Sequence, residues 1–189
     1  MIYKNVDLKK LFPLNKDVTF LNHGSFGSCP YPIFNEFLRF QKQLEYQPIA
    51  FLDENINENI FTAQKALSDF INCDPDDIVF FTNPTTAINE IMRSIQLNEG
   101  DEVLSSNHEY GALDKAWDFI CNKRGARHVK ANIPNPIPSE ESFIDSFTSK
   151  ICSRTKVIFL SHITSSTGLI FPIKSIINIA HQKNIITII

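Results

Sequence analysis

The chain has 189 residues, of which 43% are hydrophobic and 21% charged, and its formal net charge is −3. This is the make-up of a soluble globular protein of one domain, or one domain with a small accessory piece, and it excludes disordered and fibrous classes. The mild negative charge gives neither nucleic acid nor an anionic membrane a reason to bind, and no apolar run approaches the roughly 18 residues of a membrane-spanning helix.

The N-terminus carries Lys4, Asp7, Lys9 and Lys10 where a secretory signal needs an apolar stretch, so a cytoplasmic location is the expectation. Residues 1–28 are irregular and rich in turn formers, ending in Leu21-Asn-His-Gly-Ser-Phe-Gly-Ser28. Pro30 and Pro32 then suit the first turn of a helix, where a missing N–H costs nothing, and Phe34, Phe37, Leu38 and Leu44 give that helix one apolar face. A second helix is predicted from about Asn55 to Ile71, broken by Asp74-Pro75-Asp76-Asp77.

From there short apolar runs alternate with helices. Predicted strands cover Ile78–Thr82, Glu102–Ser106, Arg127–Ala131, Thr155–Ser161 and Ile185–Ile189. Predicted helices cover Thr85–Ile95, Gly111–Lys123, a segment starting at Ser139-Glu-Glu-Ser with Phe143, Ile144, Phe147 and Ile151 as its buried stripe, and Ile173–Gln182. This alternation predicts an α/β fold with three layers, α/β/α, around a mostly parallel sheet. The expected division is an N-terminal arm with helices over residues 1–72 and an α/β domain over residues 73–189. The last strand is apolar and has no following loop or covering helix, so the chain reads as stopping short of a finished sheet.

Three polar segments follow predicted strands. At Phe81-Thr-Asn-Pro-Thr-Thr-Ala87, Asn83 is a good N-cap, Pro84 fits the first helical position, and the free N–H groups with the Thr85 and Thr86 hydroxyls make a competent phosphate cradle. A plain strand–turn–helix junction has the same appearance. At His108-Glu-Tyr-Gly-Ala112, Tyr110 can stack on a heteroaromatic ring and His108 can donate a hydrogen bond or relay a proton, although a half-buried Tyr beside a solvent-facing His is the ordinary alternative. Ser161-His-Ile-Thr-Ser-Ser-Thr-Gly168 offers hydroxyls to a phenolate-type oxygen, or is simply a turn made sharp by Gly168. Convergence of the three at the carboxyl edge of one sheet would make a single crevice. The four cysteines, Cys29, Cys73, Cys121 and Cys152, form no metal or disulfide framework, and no metal site is predicted.

Four segments carry a family resemblance: Leu21-Asn-His-Gly-Ser-Phe-Gly27, Asn83-Pro-Thr-Thr-Ala-Ile-Asn89, His108-Glu-Tyr-Gly-Ala112 and Thr164-Ser-Ser-Thr-Gly-Leu-Ile-Phe-Pro172. In this order they resemble the class V aminotransferases, enzymes dependent on pyridoxal 5′-phosphate (PLP), with the flavour of isopenicillin N epimerase-like members. The resemblance runs from about Val18 to Ile189. It implies an incomplete PLP-dependent fold type I, PLP as cofactor, an amino acid as small-molecule substrate and a homodimer for the full-length protein. It also implies that Thr85 and Thr86 bind the phosphate, Tyr110 stacks on the ring, Ser165 or its neighbour Thr164 lies near the ring oxygen, and His108, on the loop of Tyr110, is a further cofactor-binding candidate. Asn22 and His23 would lie near the substrate carboxylate. Pro84 departs from the smaller residue usual there and removes a backbone donor. The family's ring-pairing aspartate and Schiff-base lysine would fall beyond residue 189, so the catalytic residue is unknown from these residues and this chain alone is expected to be inactive.

Two readings follow. One is the leading part of a PLP-dependent epimerase, lyase, desulfurase or transaminase acting on amino acids. The other is a non-catalytic remnant or interaction protein with a partial PLP-binding fold. A nucleotide-binding protein is a poorer reading, since no GxGxxG or GxxxxGK[ST] follows any predicted strand.

Overall fold

Proline opens the first long helix: α1 (Tyr31–Tyr46) starts after Pro30 with Pro32 in its first turn. In the computed structural model, which describes residues 7–189, the chain divides into two compact units, Met1–Val79 and Phe80–Ile189. In the first unit, a π-helical turn at Ala50–Glu54 leads into α2 (Ile56–Ile71). Asn72 ends α2 in the left-handed region at φ 58°, a conformation asparagine tolerates better than most residues. Asp74 then caps a short 3-10 turn, Pro75–Asp77, and Gln64 Nε2 donates to the Ile78 carbonyl at 2.7 Å.

The second unit begins with α3 (Pro84–Ser94), capped by Asn83, whose side-chain oxygen accepts from the Thr86 N–H at 2.8 Å. β1 (Glu102–Ser106), α4 (Gly111–Arg124), β2 (Arg127–Ala131), α5 (Glu140–Thr148), β3 (Thr155–Phe159), α6 (Ile173–Gln182) and β4 (Ile186–Ile188) follow. α4 ends at Gly125, φ 69°, where an added Cβ would also come within 3.2 Å of Glu99 Cγ. Ser139 caps α5, its hydroxyl accepting from the Ser142 N–H at 3.1 Å.

The four strands form one parallel sheet in the order β2-β1-β3-β4. Alternation along each strand feeds two cores. Val103, Val157, Phe159 and Ile188 pack with Met92 of α3 and with Leu113, Trp117, Ile120 and Cys121 of α4 on one face. Leu104, Ile158 and Leu160 pack with Phe143 and Phe147 of α5 and with Ile176 and Ala180 of α6 on the other. Burying one ring such as Phe143 contributes about 1.5–3 kcal/mol. The result is the three-layer α/β/α arrangement expected from the strand–helix alternation.

One expected strand is corrected. Residues 78–82 run extended but pair with no strand among the described residues. Ile78 is buried, whereas Val79, Phe80 and Phe81 are exposed. Their β-branched and aromatic character suits a pleated surface, but a strand exists only where a neighbour completes its ladder, and none is supplied.

At the amino edge of the sheet, Glu102 begins β1 with its side chain almost fully buried. Burial alone would raise its carboxyl, but hydrogen bonds from Arg154 and Cys152 and the charges of Arg154 and Arg127 outweigh that and hold it below the usual carboxylate range. Arg154 Nη2 approaches Glu102 Oε1 at 2.8 Å and Cys152 Sγ approaches Oε2 at 3.2 Å.

Candidate functional site

The strand order contains a reversal. From β1 the chain crosses by α4 to β2 on one side; from β2 it returns by α5, on the opposite face, to β3 on the other side of β1. In open parallel sheets, ligands bind outside the carboxyl ends of the strands at such a switch point, because the connecting loops diverge there and leave a crevice. Here that position lies beyond Ser106 of β1 and Phe159 of β3.

The loops meeting there are joined by side chains. Asn107 donates to the Asn132 side chain at 3.1 Å and accepts from the Ile133 N–H at 2.8 Å, tying the β1 loop to the β2 loop. His108 is buried, its Nε2 2.8 Å from the Ile133 carbonyl and its Nδ1 3.4 Å from Thr167 Oγ1. Because a carbonyl only accepts, Nε2 carries a proton, and in the neutral ring Nδ1 then accepts from Thr167. Glu109 reaches across to Ser161, accepting from its N–H at 3.0 Å and its hydroxyl at 2.7 Å.

Residues after β3 form a small hairpin, with Ile163 bridged to Ile170 and Gly168 at φ 64° in the turn. Thr164 is buried within it: its Oγ1 lies 2.6 Å from Thr167 Oγ1 and accepts from the Leu169 N–H at 2.9 Å. Ser165, at the tip, is exposed, and its hydroxyl takes no partner among the described residues. Of the two neighbours, Thr164 is therefore consumed by the turn and Ser165 is open to a ligand.

Tyr110 stands at the N-cap of α4 with its side chain 49% exposed, and its carbonyl accepts from the N–H groups of Leu113 and Asp114. At the start of α3 the cradle is narrower than the pattern suggested. Pro84 has no N–H, and Asn83 takes the Thr86 N–H, which leaves the Thr85 N–H and the two threonine hydroxyls as donors. These three take no partner among the described residues, and the N-terminus of an eleven-residue helix favours an anion there. No hydrogen bond ties Thr85 or Thr86 to the other loops, so the structure joins His108, Tyr110, Thr164 and Ser165 while α3 is held separately by its packing on α4.

Asn22 and His23 belong to the first unit. Asn22 organises a turn, its Oδ1 accepting from the Ser25 N–H at 3.3 Å, and His23 packs edge-on against Phe12 and Phe20.

Glu109 and Thr167 are the residues that sequence reasoning did not single out. Their cross-loop partners lie 52 and 59 positions away, so no local pattern points to those contacts. A hollow of about 130 Å³ lined by Arg93, Phe119, Ile120, Lys123 and Arg124 lies at the other ends of α3 and α4. Its three cations sit in or at the last helical turns, where they complement the helix dipoles.

Comparison with known proteins identifies the family and the fold. The sequence profile described as Aminotransferase class-V matches residues 46–189, and the chain belongs to that family. Among curated relatives, isopenicillin N epimerase of Amycolatopsis lactamdurans is 29% identical over 93% of this chain and 45% of its own length. A probable chloroplastic L-cysteine desulfhydrase of Arabidopsis thaliana is 25% identical over 89% of this chain and 38% of its own length. The chain thus spans less than half the length of these relatives. A solved structure of a C-DES variant with glycine covalently linked to its PLP cofactor superposes with a TM-score of 0.80 at 20% identity, over 92% of this chain and 46% of that one. The Escherichia coli cysteine desulfurase CsdA gives a TM-score of 0.73 at 19% identity, over 95% and 46%. At those identities the structural likeness is one of fold.

Proposed function

We propose that these residues form the cofactor-cradling part of a PLP-dependent enzyme of isopenicillin N epimerase-like type, acting on amino acids as a homodimer in the cytoplasm. One observation carries the reading. The loops beyond β1 and β3, at the switch point, present an open Ser165 hydroxyl and a half-exposed Tyr110 ring and are tied together by side chains. The donor set fits the cofactor: Thr85 N–H, Thr85 Oγ1 and Thr86 Oγ1 for a phosphate, Tyr110 for a heteroaromatic face, Ser165 for a ring oxygen.

When bound, PLP supplies an electron sink for bond breaking at the α-carbon of an amino acid. The protein's part is to bind and orient. Thr85 and Thr86 anchor the phosphate end, Tyr110 sets the plane of the ring, and His108 holds the loops that carry Tyr110 and Ser165 without facing the cofactor itself. Asn22 and His23 enter the proposal as substrate-carboxylate residues on the resemblance alone. The relatives' names span epimerase, desulfhydrase and desulfurase, so the shared part of the proposal is chemistry at the amino-acid α-carbon.

No lysine occurs at the start of α3 or in the loops after β1, β2 and β3. Adding PLP, reducing with borohydride and mapping the peptides should therefore leave every lysine in residues 1–189 without stoichiometric label, while PLP is retained reversibly. Stoichiometric labelling of one specific lysine would contradict this assignment of roles.

A further inference from the structure

One carboxylate at the switch point serves both flanking loops. Glu109 Oε1 accepts from Ser106 Oγ at 2.5 Å, and Oε2 accepts from the Ser161 N–H at 3.0 Å and the Ser161 hydroxyl at 2.7 Å. Ser106 is fully buried, and its oxygen in turn accepts from the His108 N–H at 3.1 Å. Among the described residues no Lys, Arg or His forms an ion pair with Glu109. The charge is therefore carried by three neutral donors drawn from β1 and the residues after β3. A carboxylate only accepts, and bonds to an ionised acceptor are about twice as strong as neutral ones.

The sequence positions give this arrangement its meaning. Glu109 immediately precedes Tyr110, and Ser161 lies just before the hairpin that carries Ser165 at its tip. His108 fastens the far side of that hairpin through Thr167, but through one 3.4 Å contact to a neutral hydroxyl. Glu109 fastens the near side with two shorter bonds from one residue. We propose that Glu109 is a positioning residue: its carboxylate buckles the β1 loop to the β3 loop and so sets the spacing between Tyr110 and Ser165. For the cofactor, the inference rests on the PLP reading above.

Reach and charge make different demands, which the test exploits. Glu109→Gln keeps the reach: its carbonyl can accept from Ser161, and its amide can donate to a free lone pair of Ser106 Oγ. Glu109→Asp keeps the charge but is one methylene too short to meet Ser106 and Ser161 together. Amide hydrogen exchange on the full chain, without cofactor, is the first readout, and PLP affinity by equilibrium dialysis is the second. In Glu109→Ala and Glu109→Asp, the Ser161 amide and residues 162–168 should exchange at least about tenfold faster, the factor implied by losing a charge-assisted hydrogen bond. The sheet amides of Leu104 and Ile158 should keep their protection. Glu109→Gln should stay within about threefold of wild type, the partial loss expected when a neutral acceptor replaces a charged one. PLP should bind about tenfold more weakly to the Ala and Asp variants and nearly normally to the Gln variant.

Unchanged exchange at residues 161–168 in both Ala and Asp variants would overturn the proposal. So would equal loosening of the sheet, which would make Glu109 part of the general scaffold. Should Glu109→Ala fail to fold, the contrast between Asp and Gln decides alone. If wild type binds no PLP, the cofactor reading fails, while the exchange comparison, made without cofactor, still decides the buckle.

Discussion

His128 Nδ1 lies 2.7 Å from Asp118 Oδ1, while its Nε2 lies 2.7 Å from the hydroxyl of Ser105, so one buried imidazole joins α4, β2 and β1. The carboxylate accepts, so Nδ1 carries a proton, and in the neutral ring Nε2 then accepts from Ser105. The chain of three resembles a hydrolytic triad in connectivity only. Ser105 is wholly buried in the central strand, so no substrate can reach it. Its role is to satisfy a hydroxyl inside the core. Replacing His128 with Ala should leave that hydroxyl only its long 3.5 Å contact to the Ser106 carbonyl and cost about 1–3 kcal/mol in urea denaturation, whereas a loss well under that range would show that this contact or another partner satisfies Ser105.

The same contact predicts an acid response. The His128 hydrogen bond, against a smaller opposing effect of burial, holds the Asp118 carboxyl below its usual range, with the charges of His128 and Lys130 adding to it. A carboxyl with a depressed folded value stabilises the fold fully above its unfolded value, near 3.9, and loses that contribution as pH falls through the folded value. Glu102 acts in the same direction. Thermal unfolding of wild type should therefore drop as pH falls below about 4, and Asp118→Asn combined with Glu102→Gln should flatten that part of the profile. An equally steep profile in the double variant would place the acid sensitivity elsewhere.

Cysteine chemistry gives a prediction independent of the crevice. Burial, with the Asp118 charge adding to it, pushes the Cys121 thiol up to about 11, while Cys29, Cys73 and Cys152 are exposed. Because the thiolate is the reactive form, iodoacetamide at about pH 8 should label the three exposed residues and spare Cys121 until the protein is denatured. Early labelling of Cys121 would show that the core over α4 opens readily.

The cap on α3 can be tested by itself. Asn83→Ala removes the acceptor for the Thr86 N–H and should cost about 1 kcal/mol of stability by chemical denaturation. It also frees that N–H, so phosphate-dependent PLP binding should persist. Loss of PLP binding at unchanged stability would mean that Asn83 itself contacts the ligand.

These relationships divide by how far apart their partners lie in sequence. The strands Glu102–Ser106 and Arg127–Ala131 and the helix Ile173–Gln182 are legible to the residue, because local apolar patterning marks them. The Asn83 cap was legible too, for its partner is three residues on. The segment 78–82 misled because its composition is that of a strand while pairing depends on a neighbour. His108 is a candidate hydrogen-bond donor or proton relay by sequence, and the structure engages its ring with the Ile133 carbonyl and Thr167. Those partners, like Ser161 for Glu109 and Ser105 for His128, are set by sheet order and register, which no window of sequence contains.

In the proposed function, the start of α3 and the loops beyond β1 and β3 hold PLP by its phosphate and its ring. The most direct measurement compares the affinities of PLP and of pyridoxal, which lacks the phosphate, for wild type and for the Thr85→Ala, Thr86→Ala double variant by equilibrium dialysis. Wild type should prefer PLP by about 100-fold, the worth of two charge-assisted hydrogen bonds, and the double variant should lose most of that preference while its pyridoxal affinity stays unchanged. Equal affinity of wild type for the two compounds, or an undiminished preference in the double variant, would contradict it.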